Sequence, residues 1–289
     1  MNSGPSTTAA VVASTLLLLE NDPALARLAA PEATPAVESA VRCALPIFGR
    51  LLDTVPWPVL ERAAHVAERL VSPGFVAHYA LRKFAVRRAL LEAACPQVVL
   101  VGAGFDMMAE SLPPGTRVIE VDHPVTQGLR RKAAAPREVT FVPLDLTDGD
   151  LAAALAETPS FDPSADTVFV AEGLLMYLSR DRVEAVLEAI GRGPGARTII
   201  LSIVTPDREG KVRIHTQRKV VDWIMRWLDE PFIWGETAVE LGRTLERHGF
   251  TVEAVTSTMD LRDELIPAHA RRLPRAPGEI VVVAKKAAA

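Results

Sequence analysis

Val98-Val99-Leu100-Val101-Gly102-Ala103-Gly104-Phe105-Asp106 is the stretch that decides the fold. Its first half is a continuous apolar run rich in β-branched residues, the texture of a strand buried on both faces of a parallel sheet. Its second half is a glycine turn, where backbone can approach a ligand that a Cβ would repel, and a helix opening after it would offer free N–H groups. The same texture recurs at Arg117 to Val121, Thr140 to Pro143, Thr167 to Ala171, Thr198 to Val204, Thr251 to Thr256 and Ile280 to Ala284. Stretches long enough for helices separate most of these runs, which predicts an α/β protein with a parallel sheet covered on both faces. The last run follows the Pro-rich segment 273–278 with no helix between, so it is expected to enter the sheet antiparallel.

Upstream, Pro23, Pro31, Pro35, Pro46, Pro56, Pro58 and Pro73 punctuate stretches of helical spacing, and no clear β-run occurs. A helical N-terminal cap over 1–94 and a core over 95–289 are therefore expected. More than forty residues separate the fifth and sixth runs, too many for one crossover helix. Within them an insertion at about 205–236, holding Trp223, Trp227 and Trp234, is natural material for a lid.

Composition narrows the function classes. The 289 residues are 49% hydrophobic and 24% charged, and Lys+Arg 32 against Asp+Glu 36 leaves a net charge of −4, as in ordinary globular proteins. A pI near 5.9 offers no broad basic field for nucleic acid. Two cysteines, Cys43 and Cys95, supply neither a disulfide framework nor zinc spacing, and no metal is expected. The apolar run Ala9 to Leu19 is 11 residues long and lacks a basic start, which fits neither a membrane span nor a secretion signal. A cytoplasmic protein without membrane partners is expected.

Three strand-end motifs follow the glycine turn. The second run ends in Glu120-Val121-Asp122, and Asp122 lies 20 residues after Gly102, the separation at which a neighbouring carboxylate meets a ribose lying across the turn. Either Glu120 or Asp122 could make that contact, accepting two charge-assisted hydrogen bonds. In Leu144-Asp145-Leu146, Asp145 could accept an adenine amine with Leu146 over the ring, or the segment could simply cap the next helix near Thr147 and Asp148. In Ala171-Glu172-Gly173-Leu174-Leu175-Met176-Tyr177-Leu178, Glu172 stands at the tip of a central strand, where open α/β sheets bind ligands. A dinucleotide fingerprint wants a third glycine where Met107 stands, which argues against a pyrophosphate site.

Taken in order, VVLVGAGFD (98–106), VIEVDHPVTQGLRRK (118–132), VPLDL (142–146) and FVAEGLLMYLSRDRV (169–183) resemble the leucine carboxyl methyltransferase-like family of S-adenosylmethionine-dependent methyltransferases, which includes bacterial polyketide O-methyltransferases. SGPSTTA (3–9), ALRKF (80–84) and EPFIWG (230–235), the last followed by a helix and HGF, extend it more faintly. The resemblance implies a class I, Rossmann-like methyltransferase with a seven-stranded sheet, a helical cap and a lid inserted after the fifth strand. It implies S-adenosyl-L-methionine as cofactor, with Gly102 and Gly104, and Ala103 between them, lining its methionine part. Asp122 would take the ribose with His123 beside it, Asp145 and Leu146 would hold the adenine, Glu172 would lie near the amino-acid end, and Arg82 would pair with the cofactor carboxylate. Without the resemblance, Arg82, Lys83, Arg87 and Arg88 read as a solvated helix face. The chain departs from the family at Met107-Met108-Ala109-Glu110-Ser111-Leu112, which lacks the arginine and aromatic many relatives carry and leaves the acceptor class open.

Methyl transfer from a sulfonium is an in-line displacement in which alignment supplies much of the rate, so no obligatory catalytic residue is implied. A carboxylate acceptor is already ionised at neutral pH, whereas a phenol would benefit from a base. Candidate bases are His123 and His215, with His65, His78, His248 and His269 less suggestively placed; Tyr177 could donate to an acceptor oxygen or lie buried. Trp223, Trp227, Phe232, Ile233 and Trp234 could line an apolar acceptor pocket, or Ile224, Met225, Trp227 and Leu228 could pack on the sheet. The expectation is a methyltransferase acting on a carboxylate or hydroxyl oxygen of a small molecule in specialised metabolism, as monomer or homodimer. Alternatives are C- or N-methylation of an indole-like aromatic, methylation of a protein C-terminus, an NAD-dependent oxidoreductase, or a fold that has lost turnover.

Overall fold

The computed structural model describes residues 7–19, 22, 25–105, 107–133, 135–214, 216, 218–227, 230–267 and 274–288. Asp106, His215, His269, Leu228 and residues 3–6 of the SGPSTTA segment lie outside them, as does the side chain of Ile224. The described strands are β1 (Gln97–Val101), β2 (Arg117–Asp122), β3 (Thr140–Pro143), β4 (Thr167–Ala171), β5 (Arg197–Val204), β6 (Thr251–Ser257) and β7 (Glu279–Lys286). They form one seven-stranded sheet in the order β3-β2-β1-β4-β5-β7-β6. Pairing is parallel from β3 through β5, while β7 runs antiparallel between β5 and β6, as the Pro-rich lead-in to the last run predicts. The chain reverses direction of growth between β1 and β4, so the crevice at their C-terminal ends is the topological switch point where α/β sheets bind ligands.

Side chains two apart share a strand face. Val99 and Val101 of β1 and Ile119 and Val121 of β2 join one core cluster with α8 (Leu151–Ala156), α9 (Arg180–Ile190) and α11 (Ala238–Arg247). Val98, Leu100 and Val118 join the opposite cluster, under α6 (Phe75–Ala93) and α12 (Thr258–Leu265). α7 (Pro124–Arg130) connects β2 to β3. At the N-terminus, α1 (Thr7–Ser14), α2 (Leu16–Leu19), α3 (Thr34–Ala44), α4 (Pro46–Thr54) and α5 (Trp57–Val71) precede α6. α1 and α3 share a separate cluster with Phe105 and Met107, so this part of the cap closes over the glycine turn. α6 lies on the sheet itself, and its core residues belong with those of β1, β4 and β5.

One local expectation fails. The glycine turn is followed not by an α-helix but by a four-residue 3₁₀ turn, Met108–Ser111. Gly102, Gly104 and Met107 all adopt left-handed conformations, and Pro113-Pro114 follows closely, so too few residues remain in helical geometry to build turns of α-helix. The segment after β5 carries an isolated bridge between Pro206 and Val212, then α10 (Lys219–Trp227), then an extended run to α11. That run is tied down where the Ile233 amide donates to the Met176 carbonyl at 2.8 Å. Among the described residues no helix is long and apolar enough to cross a membrane.

Candidate active site

The tip of β2 and the tip of β1 are joined by one carboxylate. Asp122 Oδ2 accepts the Gly104 amide and Oδ1 accepts the His123 amide, each at 2.6 Å. Burial pushes the Asp122 carboxyl up from its ordinary value, with the two amides working against that rise. Gly102 has φ +72°, which favours glycine, and a Cβ on it would lie 2.9 Å from Leu174 Cδ1, so any other residue there would be strained and would have to displace Leu174. Glu120 and Asp122 share a strand face, and depth along the strand separates their roles. Glu120 is buried and paired with Arg130 at 3.0 Å, whereas Asp122 stands at the strand end beside the turn.

The β3 tip is tied to the same place. His123 caps α7, accepting the Val125 amide at its Nδ1, and its Nε2 stands 3.7 Å from Asp145 Oδ2. Asp145 accepts the Thr147 amide at 2.9 Å and hydroxyl at 2.6 Å; although partial burial opposes it, these bonds hold its carboxyl below the ordinary value. It is thus a turn former as well as a candidate ligand group. Leu146 is 5% exposed and packs in the core cluster with Val142 and Leu151.

At the β4 tip the structure overturns the reading of Arg82 and Lys83 as a solvated face. Both are buried, and they clasp Glu172, whose Oε1 accepts Arg82 Nε at 2.9 Å and whose Oε2 accepts Lys83 Nζ at 2.7 Å. Arg82 also donates through Nη1 to both oxygens of Glu279, at 3.1 and 3.2 Å. His78 Nε2 lies 2.7 Å from Glu279 Oε2, and Arg82 stacks 4.7 Å from the Tyr79 ring centroid. Burial outweighs the Glu172 carboxylate at Lys83 and brings its pKa down to about 8. At Glu279 burial acts upward, but Arg82 and the His78 bond prevail and bring the carboxyl down to about 2. Tyr79, Ser202 and Glu279 escaped the sequence reading, and His78 entered it only as a less suggestively placed base. The available signal was His78 one helical turn before Arg82, at i, i+4.

A narrow cleft opens here, lined by Gly102, Ala103, Met108, Val170 and Glu172. A second, narrow cavity lies between α2, α3 and α6; Leu19, Leu28, Ala33 and Val37 make it mostly apolar, with Lys83 and Arg87 at its wall. The two share Met108, and the Lys83–Glu172 ion pair runs from one to the other.

The aromatic residues of the insertion do not converge on either cavity. Trp223 and Trp227 are 61% and 73% exposed, and Trp234 is buried in the core under α9 and α11, so neither the lid-lining set nor the sheet-packed helix describes all three. Tyr177 meets Phe232 edge to face at 5.3 Å, and burial, aided by Glu230, raises its pKa, which keeps the phenol protonated. His65 and His248 pair with Glu68 and Glu184 away from the crevice.

Comparison with known proteins gives a consistent result. A sequence profile of the leucine carboxyl methyltransferase family matches residues 11–191. A Mycolicibacterium smegmatis protein provisionally named an S-adenosyl-L-methionine-dependent methyltransferase is 32% identical over 183 residues, 57% of each chain. A Frankia alni protein of the same provisional name is 45% identical over 103 residues, 33% of this chain and 35% of that one. The match thus spans little more than half the length of the first of these curated relatives. Among solved structures, a Thermobifida fusca protein provisionally described as a methyltransferase superposes with a TM-score of 0.57 at 21% identity, covering 79% of this chain and 88% of that one. A DUF574 family protein from Streptomyces avermitilis gives 0.56 at 16% identity over 96% and 97%. At such identities these superpositions show a common fold.

Proposed function

The chain belongs to the leucine carboxyl methyltransferase family, and from that premise we propose that it is an S-adenosyl-L-methionine-dependent methyltransferase of a small-molecule oxygen acceptor. One observation carries the reading. The cleft at the switch point has a carboxylate clasped by two cations at one end, Glu172 with Arg82 and Lys83, and the Asp122–glycine turn at the other.

Those groups fit the cofactor. A carboxylate offers about four acceptor positions, and the Gly104 and His123 amides use two at Asp122, which leaves capacity for ribose hydroxyls. Glu172 complements an ammonium, and Arg82 and Lys83 complement a carboxylate, the two charges of an amino-acid end. Asp145 would accept the adenine amine. When bound, the cofactor supplies a methyl group on a sulfonium. Arg82, Lys83 and Glu172 then fix one end and Asp122 the other, so positioning is the protein's contribution.

Several observations support an acceptor oxygen that is already ionised, as in a carboxylate. His78 and His123, the described histidines nearest the crevice, are both engaged by protein groups, and the Tyr177 phenol keeps its proton and so supplies no base. The mostly apolar cavity joined to the cleft through Met108 and Lys83 is the space we assign to that acceptor. The resemblance to polyketide O-methyltransferases supports a place in specialised metabolism. The NAD-dependent alternative wants a helix N-terminus at the glycine turn for a pyrophosphate, and a 3₁₀ turn stands there instead.

Calorimetric titration with S-adenosylmethionine, S-adenosylhomocysteine and NAD, in separate runs, tests the reading. Saturable binding of the two sulfur nucleotides and not NAD is expected, followed by methyl ester formation from apolar carboxylic acids detected by mass spectrometry. Binding of NAD alone would overturn it.

A further inference from the structure

Beyond the groups that would touch a cofactor lies a second, fully buried layer. Glu279, the first residue of β7, is 1% exposed. It accepts Arg82 Nη1 on both oxygens, His78 Nε2 at 2.7 Å, and a hydrogen bond from the Ser202 side chain. Ser202 Oγ in turn accepts the Gly173 amide at 2.9 Å, and Gly173 is the residue after Glu172. Glu279 therefore reaches both members of the Arg82–Glu172 pair, the cation directly and the β4 tip through Ser202. Gly173 itself has φ +63°, and a Cβ there would stand 3.3 Å from Arg82 Nη2, so the close approach of the guanidinium to this turn depends on glycine. An isolated buried carboxylate would be costly, and this one is matched by a guanidinium, an imidazole and a hydroxyl.

We infer that Glu279, supported by His78 and Ser202, is a positioning residue that sets the orientation of Arg82 and of the Glu172-Gly173 turn, and so tunes the site for the α-amino-acid end of the cofactor. The inference rests on the S-adenosylmethionine reading. Ionised, Glu279 can only accept, so it fixes which N–H edge of the guanidinium is turned inward and leaves Nε directed at Glu172. His78 and Thr258, whose Oγ1 lies 3.3 Å from His78 Nδ1, anchor the carboxylate from α6 and α12.

The experiment compares two ligands that share the adenosine and the thioether and differ in the amino-acid end: S-adenosylhomocysteine and 5′-methylthioadenosine. Wild type, Glu279→Gln and Ser202→Ala are titrated with each. The expected result is that Glu279→Gln weakens S-adenosylhomocysteine by about tenfold or more while 5′-methylthioadenosine changes by less than about twofold, with Ser202→Ala shifting the same ratio less. A purely architectural Glu279 would weaken both ligands alike, and that outcome overturns the inference, as does an unchanged ratio. If Glu279→Gln does not fold, the ratio measured for Ser202→Ala decides in its place. Failure of wild type to bind S-adenosylhomocysteine is a separate result: it removes the cofactor reading, and the inference with it.

Discussion

Asp122 Oδ2 accepts the backbone N–H of Gly104 at 2.6 Å, so the carboxylate at the tip of β2 holds the glycine turn at the tip of β1 in place. The same side chain thus has two duties, shaping the turn and offering its remaining lone pairs to a ribose. Asp122→Ala should weaken S-adenosylhomocysteine binding by about 1.5–3 kcal/mol, or roughly tenfold to a hundredfold, as expected for loss of charged hydrogen bonds. Calorimetry on a variant with a native circular dichroism spectrum checks this, and an unchanged dissociation constant would remove Asp122 from the site.

The two glycines Gly102 and Gly115 separate backbone strain from collision. Both have positive φ, at +72° and +86°, but an added Cβ meets Leu174 at 2.9 Å in the first and nothing within 4 Å in the second. Gly115→Ala should cost about 1–2 kcal/mol, the strain of a left-handed alanine. Gly102→Ala should cost at least that and a further displacement of Leu174, with a correspondingly larger fall in Tm. Equal melting shifts for the two variants would contradict the geometry.

How much of this the sequence carried can be seen at the strand ends. β3 and β4 begin and end where their apolar runs do, but β1, β5 and β7 begin one residue earlier than their runs, at Gln97, Arg197 and Glu279. Each of these is polar and only 1% exposed. Gln97 bonds Thr167 and Asp162, Arg197 bonds carbonyls of Pro163, Ala165 and Arg192, and Glu279 bonds Arg82 and His78. A reading of apolar runs stops at such residues because their burial depends on partners distant in sequence, up to 201 positions away for His78 and Glu279. For the same reason the strand-end placement of Glu172 and Asp122 was legible locally, while the layer behind Arg82 was not. The tryptophans show the converse: residue type and place in the chain could not say which way a side chain turns.

The depressed Glu279 carboxyl predicts a specific loss of stability in acid. Its pKa is about 2 when folded against 4.5 for an ordinary glutamate, so between those values the unfolded chain takes up a proton that the folded chain does not. Its contribution, up to about 3 kcal/mol, is present above pH 4.5 and is lost as the pH falls from there toward 2. Glu279→Gln should be less stable than wild type at pH 7, and the gap should narrow as pH is lowered through that window. Denaturant unfolding at several pH values checks it, and a gap independent of pH would rule out an ionised Glu279 as the source.

The cavity beside the cap gives a prediction that separates acceptor from cofactor. Ala30 lines it, is only partly buried, and lies outside the Arg82–Glu172–Glu279 network, so a larger side chain there can occupy the space without touching the cleft. Ala30→Phe should raise the KM for a carboxylic acid acceptor by about tenfold or more, since overfilling a packed space costs about 1–3 kcal/mol. The dissociation constant for S-adenosylhomocysteine should stay within about twofold, because Met108 and Lys83, and not Ala30, are the residues that join the two spaces. Steady-state kinetics on an acceptor found by mass spectrometry, with parallel calorimetry, supplies both numbers. If Ala30→Phe leaves the acceptor KM where it was, the acceptor does not enter between α3 and α6, and the exposed Trp223 and Trp227 of α10 become the surface to examine next.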